Sequence, residues 1–337
     1  MAGAFVRALR DERVRLLLRL NRLLRPFYRL SFLAGGARHS VFAALAAGPK
    51  TAEALAEELG VAADHIDALR SWLDVGCRLG DVRRERREYS LRSRTAQKLA
   101  APECDGAAAF LVEIATLHHM LLLETPGRLA QGRPYTLADQ DGELIARSSR
   151  TVEPFITSAL ERVVSPTGAT RLLEVGCGSG IYIRRAAEMN PSLTAVGLEL
   201  QPEVAEQARE NLRGWGLEDR AEIEVGDVRD RDPEPVFDVV TLHNNIYYFP
   251  VDDRPALLEH LGKFLVPGGT LLLTTGCKGG NLGFELLDLW ATATEGCGPL
   301  PRPGELVDQL RAAGLEPEPP RRLIPADAFY GFVATKR

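Results

Sequence analysis

The sequence predicts an α/β fold in which a doubly wound parallel sheet follows a smaller N-terminal domain. Three observations predict the sheet. Short apolar runs alternate with helical patterns in the C-terminal half, a glycine-rich turn joins the first run to a helix, and an acidic residue ends each of the next two runs. Because parallel strands need crossover connections, usually helices, this alternation is typical of an open sheet with helices on both faces.

The glycine-rich turn is the segment 171–180, Arg-Leu-Leu-Glu-Val-Gly-Cys-Gly-Ser-Gly. Its apolar residues are typical of a buried strand, and 181–189 has the pattern of a helix. Glycines at such a junction let backbone approach a ligand and direct free helix N–H groups towards it. The spacing is Gly-x-Gly-x-Gly and differs from the dinucleotide signature Gly-x-Gly-x-x-Gly. The turn predicts five cofactor-binding residues: Glu174, Gly176, Cys177, Gly178 and Gly180.

Four further apolar runs predict strands at 193–199, 221–227, 237–243 and 270–275. Because the carboxyl ends of parallel strands meet at one edge of a sheet, polar residues at those ends lie near the glycine-rich turn. Glu199 ends the second strand, beside Leu200, where a carboxylate can accept both hydroxyls of a ribose. Asp227 ends the third strand and Val228 follows it, at the point where an adenine amino group would bind. His243 ends the fourth strand on the same edge.

Together these segments resemble the class I S-adenosylmethionine-dependent methyltransferases. The matching elements are Glu-x-Gly-x-Gly-x-Gly, an acid ending strand two, Gly-Asp ending strand three and Leu-x-Pro-Gly-Gly before strand five. The resemblance implies a Rossmann-like seven-stranded sheet whose last, antiparallel strand falls at 327–335. It also implies an enzyme that uses S-adenosyl-L-methionine as its cofactor.

The first hundred residues have the pattern of a winged helix–turn–helix. Three helices and a two-stranded wing are predicted at 39–47, 51–59, 63–75 and 81–91. Thr51 is the expected N-cap of the second helix. Asp64, Asp67 and Asp74 occupy exposed positions of the third helix. Arg70 is the one basic residue among those positions, so the helix would repel DNA phosphates, and nucleic-acid binding is disfavoured.

Over about residues 37–337 the chain resembles the small-molecule O-methyltransferases of plant and bacterial secondary metabolism. The shared parts are the winged helix, a helical connector with a Leu-x-x-Gly-x-Pro loop, and the C-terminal domain. In that family the catalytic base is a histidine just past strand four, in a Leu-His-Asp-Trp context. Leu242-His243 matches it, which makes His243 the candidate general base. Asn244-Asn245 replaces the Asp-Trp pair, a departure that leaves the base role open.

The resemblance implies three parts of the chain with different roles. An N-terminal all-helical winged-helix domain, 1–100, would dimerise the enzyme. A helical connector, 101–165, would roof the pocket, with helices at 107–123 and 141–164. The remainder, 166–337, would bind the cofactor and carry out catalysis on a small hydrophobic metabolite.

The predicted substrate pocket combines residues from two segments: Asn244, Asn245, Tyr247 and His118. The two asparagines offer amide donors and acceptors, and Tyr247 begins an aromatic run that suits an apolar or planar substrate. Their alternative roles are strand-end capping and core packing. His118-His119 has no acid or cysteine nearby at ligand spacing, so no metal site is predicted.

Composition limits the class of protein. The chain of 337 residues is 45% apolar and 26% charged, and no uninterrupted apolar run of 18 residues predicts a bilayer span. No signal-peptide pattern begins the chain. Five cysteines, an odd number without a Cys-x-x-Cys pair, favour a reducing cytoplasm over a disulfide framework. We therefore expect a cytoplasmic enzyme with a small-molecule substrate and no membrane partner.

The segment 4–30 is predicted to form a helix with eight arginines and a leucine-rich apolar face. Packing on its own domain, a subunit interface and a membrane surface are all compatible with this pattern. The apolar face exceeds what one small domain can cover, so we expect a homodimer built through residues 1–100.

Three other functions remain open on sequence grounds. The same fold could methylate nitrogen, carbon or sulfur, as the altered residues after His243 allow. The winged helix could belong to a cofactor-sensing regulator, which its acidic third helix disfavours. An NAD-dependent dehydrogenase could share the first strand–turn–helix unit, but the glycine spacing and Asp227 oppose it.

Overall fold

The computed structural model describes residues 11–337 and divides the chain into two compact units, 1–117 and 118–337. The predicted division into 1–100, 101–165 and 166–337 has boundaries at other positions and stays a prediction. Each unit has its own hydrophobic core.

The N-terminal unit is helical with a small antiparallel sheet. Its elements are helices α1 (Glu12–Arg38), α2 (Val41–Ala46), α3 (Ala52–Glu58), α4 (Ile66–Leu79), α5 (Arg94–Leu99) and α6 (Asp105–Glu113), and strands β1 (Lys50–Thr51), β2 (Val82–Glu85) and β3 (Glu88–Leu91). The sheet order is β1-β3-β2, so the predicted two-stranded wing gains a short third strand. Thr51 caps α3 as predicted, since its Oγ1 accepts from Ala54 N–H at 3.2 Å.

The first helix differs from its prediction at 4–30. It begins after the N-cap Asp11 and continues through Pro26 to Arg38, whereas residues 1–10 lie outside the described part of the chain. Its C-terminal third is held in the core, where Phe32 stacks on Trp72 with ring centroids 4.2 Å apart. The core contacts of this third explain why the helix continues beyond the amphipathic pattern.

The second unit alternates strands and helices. Its helices are α7 (His119–Ala130), α8 (Gly142–Ser148), α9 (Glu153–Leu160), α10 (Ile181–Met189), α11 (Pro202–Gly214), α12 (Arg254–Phe264), α13 (Leu282–Ala293) and α14 (Pro303–Ala312). Its strands are β4 (Thr170–Val175), β5 (Leu193–Glu199), β6 (Ala221–Val225), β7 (Phe237–His243), β8 (Leu265–Gly276), β9 (Leu315–Pro317), β10 (Arg321–Arg322) and β11 (Phe329–Lys336).

Two predicted helices are interrupted. The helix predicted at 141–164 breaks into α8, a 3₁₀ segment and α9, because Ser148, Ser149 and Thr151 turn their hydroxyls back onto carbonyls of the preceding turn. The helix predicted at 107–123 contains a π-helical turn at Ile114–His118. The spacing of apolar residues in the sequence does not predict such a local irregularity.

The large sheet has the order β10-β11-β8-β7-β4-β5-β6, and β9 pairs with β11 as an eighth strand. Strands β4 to β8 are parallel neighbours, and β11 runs antiparallel to β8, as predicted. Helices α9, α10 and α11 cover one face, and α12 and α14 contribute to the core on the other. The sheet is therefore doubly wound, and the carboxyl ends of its parallel strands form one edge.

Among residues 11–337, one helical run, Pro102–Ala130, is long and apolar enough to cross a membrane by length and composition alone. Core helices of soluble proteins meet the same two criteria, so this run is weak evidence for a membrane. The expectation of no membrane partner stays a prediction.

Candidate active site

A cavity of about 430 Å³ opens at the carboxyl ends of the parallel strands. Its walls include Gly176, Gly178, Glu199, Asp227 and His243, which the sequence places on four different strand ends. The parallel pairing of β4 with β5 and β7, and of β5 with β6, brings these ends together. The volume lies within the range of pockets that enclose small ligands.

The glycine turn is shaped by close backbone packing. Gly176 has φ 66°, and a Cβ there would lie 2.2 Å from Nδ2 of Asn245, so no side chain fits. Its N–H donates to the carbonyl of Leu198 at 2.7 Å, which fixes the turn to the next strand. Gly178 lines the cavity, whereas Gly180 faces α11 and Cys177 lies in the core.

Glu199 is fixed before any ligand binds. One carboxylate oxygen accepts from Gly178 N–H at 3.0 Å, and the other accepts from Gln201 N–H at 3.1 Å. The side chain is 8% exposed and lines the cavity. A carboxylate oxygen has more than one acceptor site, so ribose hydroxyls can still donate to it. The neighbouring Leu200 also lines the cavity and is half exposed.

Asp227 is paired with a cation that the sequence analysis missed. The guanidinium of Arg229 donates to both Asp227 oxygens at 2.6–3.1 Å, and this contact lowers the pKa of the carboxyl. Arg229 also lies over the ring of Phe249, 5.3 Å from its centroid. Val228, between the two, is buried in the cavity wall. The sequence did contain a signal for this ion pair, namely the basic residue two positions after the acid.

His243 is a buried member of the cavity wall. Its Nδ1 lies 2.9 Å from Oγ1 of Thr274, and its ring meets Tyr182 edge-on with centroids 4.9 Å apart. Nε2 is buried and has no hydrogen-bond partner among residues 11–337. Burial lowers the pKa of the imidazole to about 3, so the ring is neutral at physiological pH.

The two asparagines have different surroundings. Asn245 Nδ2 donates to the carbonyls of Val175, Gly176 and His243 at 3.0–3.3 Å, which ties two strand ends together. Asn244 has φ 52°, and its N–H donates to the carbonyl of Thr274. Both line the cavity, but the Asn245 amide nitrogen is committed to the scaffold.

An aromatic wall follows the asparagines. Tyr247, Tyr248 and Phe249 all line the cavity. The Tyr248 ring lies 5.0 Å from that of Tyr247 and 5.5 Å from that of Trp290, which stands behind it. Gln140 Nε2 donates to Tyr248 Oη at 3.4 Å. These contacts hold a flat apolar surface at the cavity.

Other parts of the wall come from segments that carry no chemical motif. They are Leu137, Gln140, Gly142, Ile145, Ala146, Ser149, Glu295, Gly296 and Cys297. Most of these residues are small or apolar and none belongs to a motif, so a single sequence does not identify them as cavity residues. His118, predicted as a pocket residue, lies in the π-helical turn and is not among the lining residues described.

Glu174 lies within β4, outside the cavity lining described. It is wholly buried, and neither carboxylate oxygen accepts a hydrogen bond of ordinary geometry from residues 11–337. Burial raises the pKa of this carboxyl well above its ordinary value, an effect that the nearby Ile183 N–H opposes. The residue is therefore a buried carboxyl of the sheet. Its predicted contact with the cofactor stays a prediction.

Metal ligation has no support in the described residues. Across residues 11–337, no group of three or more histidine, cysteine, aspartate or glutamate side chains could hold a metal ion.

Part of the C-terminal half of the chain is similar to a known protein family. Residues 173–271 match the family described as "Methyltransferase domain". Demethylspheroidene O-methyltransferase of Cereibacter sphaeroides is 28% identical over 70% of this chain and 64% of that protein. Nocamycin O-methyltransferase of Saccharothrix syringae is 34% identical over 45% of this chain and 61% of that protein. The chain thus spans less than two thirds of the length of these curated relatives.

Solved structures with the same fold cover nearly the whole chain. Mitomycin 7-O-methyltransferase superposes with a TM-score of 0.74 at 21% identity, covering 97% of this chain and 99% of that one. Human N-acetylserotonin methyltransferase, solved with S-adenosylmethionine, has a TM-score of 0.70 at 17% identity, covering 97% and 98%. Residues 173–271 therefore carry a methyltransferase domain, and the chain has the class I fold of the S-adenosylmethionine-dependent methyltransferases, as its sequence predicted.

Proposed function

We propose that this chain is an S-adenosylmethionine-dependent methyltransferase that methylates a hydroxyl group of a small hydrophobic metabolite. One observation carries the proposal. The glycine turn, the two strand-end acids and a buried neutral histidine line a single cavity beside an aromatic wall. The relatives and structural neighbours named above, including the nocamycin and mitomycin O-methyltransferases, support this function.

The cofactor would lie along the strand ends. Gly178 leaves room for the methionine moiety against bare backbone, Gly176 lines the same part of the cavity, and Glu199 would accept the ribose hydroxyls. Asp227 would accept from the adenine amino group while Arg229 keeps it ionised. When bound, the cofactor supplies a sulfonium methyl group as the electrophile.

His243 would take the proton of the acceptor hydroxyl. The ring is neutral at physiological pH and lines the cavity. General-base catalysis of this kind contributes about 10²–10⁴-fold to a rate. Transfer removes the positive charge of the sulfonium, so the charge that appears on the imidazole replaces one that disappears nearby.

The acceptor is proposed to be uncharged or cationic at physiological pH. Four carboxylates lie along the cavity, those of Glu199, Asp227, Asp253 and Glu295. Arg229 is the one cation among the described lining residues, and it already binds Asp227. A carboxylate on the acceptor would be repelled and would find no unpaired cation.

This charge preference is testable with a matched pair of probes, 2-naphthol and 3-hydroxy-2-naphthoic acid. We expect 2-naphthol to be methylated with the higher kcat/KM. Glu295→Lys places a cation at an exposed point of the cavity wall and should raise kcat/KM for the acid. Preference for the acid by the unchanged enzyme would contradict the proposed acceptor class.

A second candidate function keeps the fold and changes the accepting atom. The low pKa of His243, about 3, makes the ring a weak base, which favours acceptors that need none, such as a thiolate, an unprotonated amine or a carbon nucleophile. Proximity and alignment would then supply most of the rate.

A homodimer is proposed from the first helix. Within α1, residues 12–27 are almost wholly exposed and include a run of large apolar side chains: Leu16, Leu17, Leu20, Leu23, Leu24 and Phe27. A second copy of the chain would cover them. Light scattering at micromolar concentration should give twice the chain mass, and deletion of residues 1–28 should abolish the dimer. A monomeric full chain that floats with anionic vesicles would favour the membrane-surface alternative.

A cytoplasmic location is proposed from cysteine use. All five cysteines are free, and Cys177 and Cys277 are buried. A reducing compartment keeps such thiols unpaired. Fractionation of the native cells should recover the chain with cytoplasmic markers.

Transfer of a trideuteromethyl group tests the activity directly. The purified chain is incubated with trideuteromethyl-labelled S-adenosylmethionine and an extract of the cells that produce it, and products are read by mass spectrometry. We expect a metabolite that gains one labelled methyl group. Like the methyl group of an ether, this group should not be lost on incubation in water or on acid treatment. A label found on nitrogen, carbon or sulfur would contradict a hydroxyl acceptor and support the second candidate function.

A further inference from the structure

The buried histidine is held by a hydroxyl group. His243 and Thr274 are register partners on the neighbouring strands β7 and β8, so their side chains share one face of the sheet. Nδ1 of the ring lies 2.9 Å from Oγ1 of Thr274, which is itself fully buried. A hydroxyl can accept from Nδ1–H or donate to a bare Nδ1, so it permits either neutral tautomer.

The ring has little freedom to turn away from this contact. Tyr182 meets it edge-on at a centroid distance of 4.9 Å and an interplanar angle of 63°. A half-turn of the ring would exchange Nδ1 for carbon and leave a buried polar atom without its partner. The second nitrogen, Nε2, is the ring atom without a hydrogen-bond partner among the described residues. A proton on Nε2 would therefore be a buried donor without an acceptor, which favours the tautomer with its proton on Nδ1.

We propose that Thr274 is a positioning residue that holds His243 with its proton on Nδ1, so that Nε2 presents a lone pair to the acceptor. The proposal rests on the proposed function. As the new oxygen–carbon bond forms, the sulfur–carbon bond breaks and its electron pair stays on sulfur. The hydroxyl proton moves to Nε2, and Nδ1–H continues to donate to Oγ1 of Thr274.

A hydroxyl partner at Nδ1 and a carboxylate partner would have different effects on the protonation of the ring. A carboxylate at Nδ1 would stabilise the imidazolium ion and raise the pKa of the ring, so a larger fraction of the enzyme would hold a protonated ring before the acceptor arrives. A hydroxyl orients the ring without adding charge. The imidazole therefore stays unprotonated in its buried site, but it is a weaker base than it would be beside a carboxylate.

The tautomer is directly measurable by nuclear magnetic resonance. Long-range ¹H–¹⁵N correlation on chain labelled at histidine separates a protonated from a lone-pair nitrogen in each ring, and His243→Asn assigns the signal among the six histidines. We expect the lone-pair signal of His243 at Nε2. Thr274→Val should abolish this preference, and Thr274→Ser should retain it. An Nε2–H tautomer in the unchanged chain, or a Thr274→Val spectrum identical to it, would overturn the inference.

A matched control separates positioning from packing. Thr275 is equally buried on the same strand, but its hydroxyl donates to the carbonyl of Gly276 at 3.1 Å and does not meet His243. Thr275→Val should leave the His243 spectrum unchanged. Loss of the tautomer preference in this variant as well would assign the effect to general disruption of the strand and overturn the role of Thr274.

Methyl transfer gives the functional readout with 2-naphthol as the acceptor. Thr274→Val should lower kcat about tenfold, the loss of one neutral hydrogen bond, with little change in KM for the cofactor, and Thr274→Ser should restore kcat. Absence of transfer in every chain, with the expected tautomer present, would refute the acceptor assignment and leave the role of Thr274 standing. Unchanged kcat in Thr274→Val would overturn that role.

Discussion

The two ends of the cavity, at which we propose that the cofactor and the acceptor bind, are built in different ways. At the cofactor end, consecutive strands contribute one residue or turn each, and backbone hydrogen bonds fix the functional groups, as with Glu199 on Gly178 N–H. At the acceptor end, the wall comes from 137–149, 244–250 and 295–297, which are distant in sequence. The first end is set by the sheet, whereas the second depends on how separate loops and helices meet.

This difference indicates which property each end controls. A site made from strand ends is common to the whole fold, because the order and register of the strands position it. A wall made from connecting segments is free to vary without disturbing the sheet. We therefore expect substitutions at the cofactor end to change cofactor affinity, and substitutions at the acceptor end to change rate and acceptor choice.

The largest expected effect is at His243. His243→Ala should lower the rate of methyl transfer to a hydroxyl by about 10²–10⁴-fold, because the proton then has no base, while cofactor affinity changes little. Pre-steady-state transfer and calorimetry on the same variant measure both quantities. His65→Ala, an exposed histidine of the N-terminal unit, is the control. Nearly full turnover in His243→Ala would support an acceptor that needs no base.

A smaller effect is expected at Glu199. Glu199→Ala removes the proposed acceptor of the ribose hydroxyls and should weaken cofactor binding by about 1–3 kcal/mol, roughly 5- to 150-fold in Kd. Calorimetric titration checks this value against Glu203→Ala, an exposed acid in the following helix. Equal affinity in both variants would remove Glu199 from the cofactor site.

Asp227 should matter less than Glu199. Its carboxylate is shared with Arg229, so Asp227→Ala releases that cation as well as removing an adenine contact. We expect a loss in affinity smaller than that of Glu199→Ala, with greater tolerance of cofactor analogues altered at the adenine amino group. Competition with such analogues is the measurement. A larger loss than in Glu199→Ala would reverse the assigned order.

The neutral His243 predicts how stability changes with pH. Its folded pKa is depressed to about 3, and its unfolded value is about 6.5. Between these values the unfolded chain binds more protons, so the free energy of unfolding falls as pH decreases from about 6.5 towards 3. One such group changes the free energy of unfolding by up to about 1.4 kcal/mol per pH unit. Denaturant unfolding of His243→Asn should have a correspondingly weaker pH dependence, and identical slopes would contradict the buried neutral ring.

Sequence alone predicted the cofactor end because its residues follow recognisable strands. The strands at 193–199 and 237–243 have the bounds found in the structure, and Glu199 and His243 end them. Glu174 and Cys177 were predicted on the same ground, and their contacts with the cofactor stay predictions. They stand inside the same motif, but their side chains turn into the core, which the order of residues does not reveal.

Much of the acceptor end escaped prediction for a physical reason, although the predicted residues Asn244, Asn245 and Tyr247 line the cavity. Ile145, Ser149 and Cys297 reach the cavity because separate segments of the second unit meet there, and none belongs to a chemical motif. Arg229 was missed because its role depends on a contact with Asp227 rather than on its own surroundings. The break between α8 and α9 likewise follows from hydroxyl contacts, whereas apolar spacing alone favours one helix.

The central claim is that one cavity holds both the methyl donor and the base. A crystal structure of the chain with S-adenosylhomocysteine tests it most directly. We predict the ribose hydroxyls on Glu199, the adenine amino group on Asp227 and the sulfur facing the open part of the cavity beside His243. Product bound elsewhere, or with its sulfur turned away from His243 and the aromatic wall, would contradict the account.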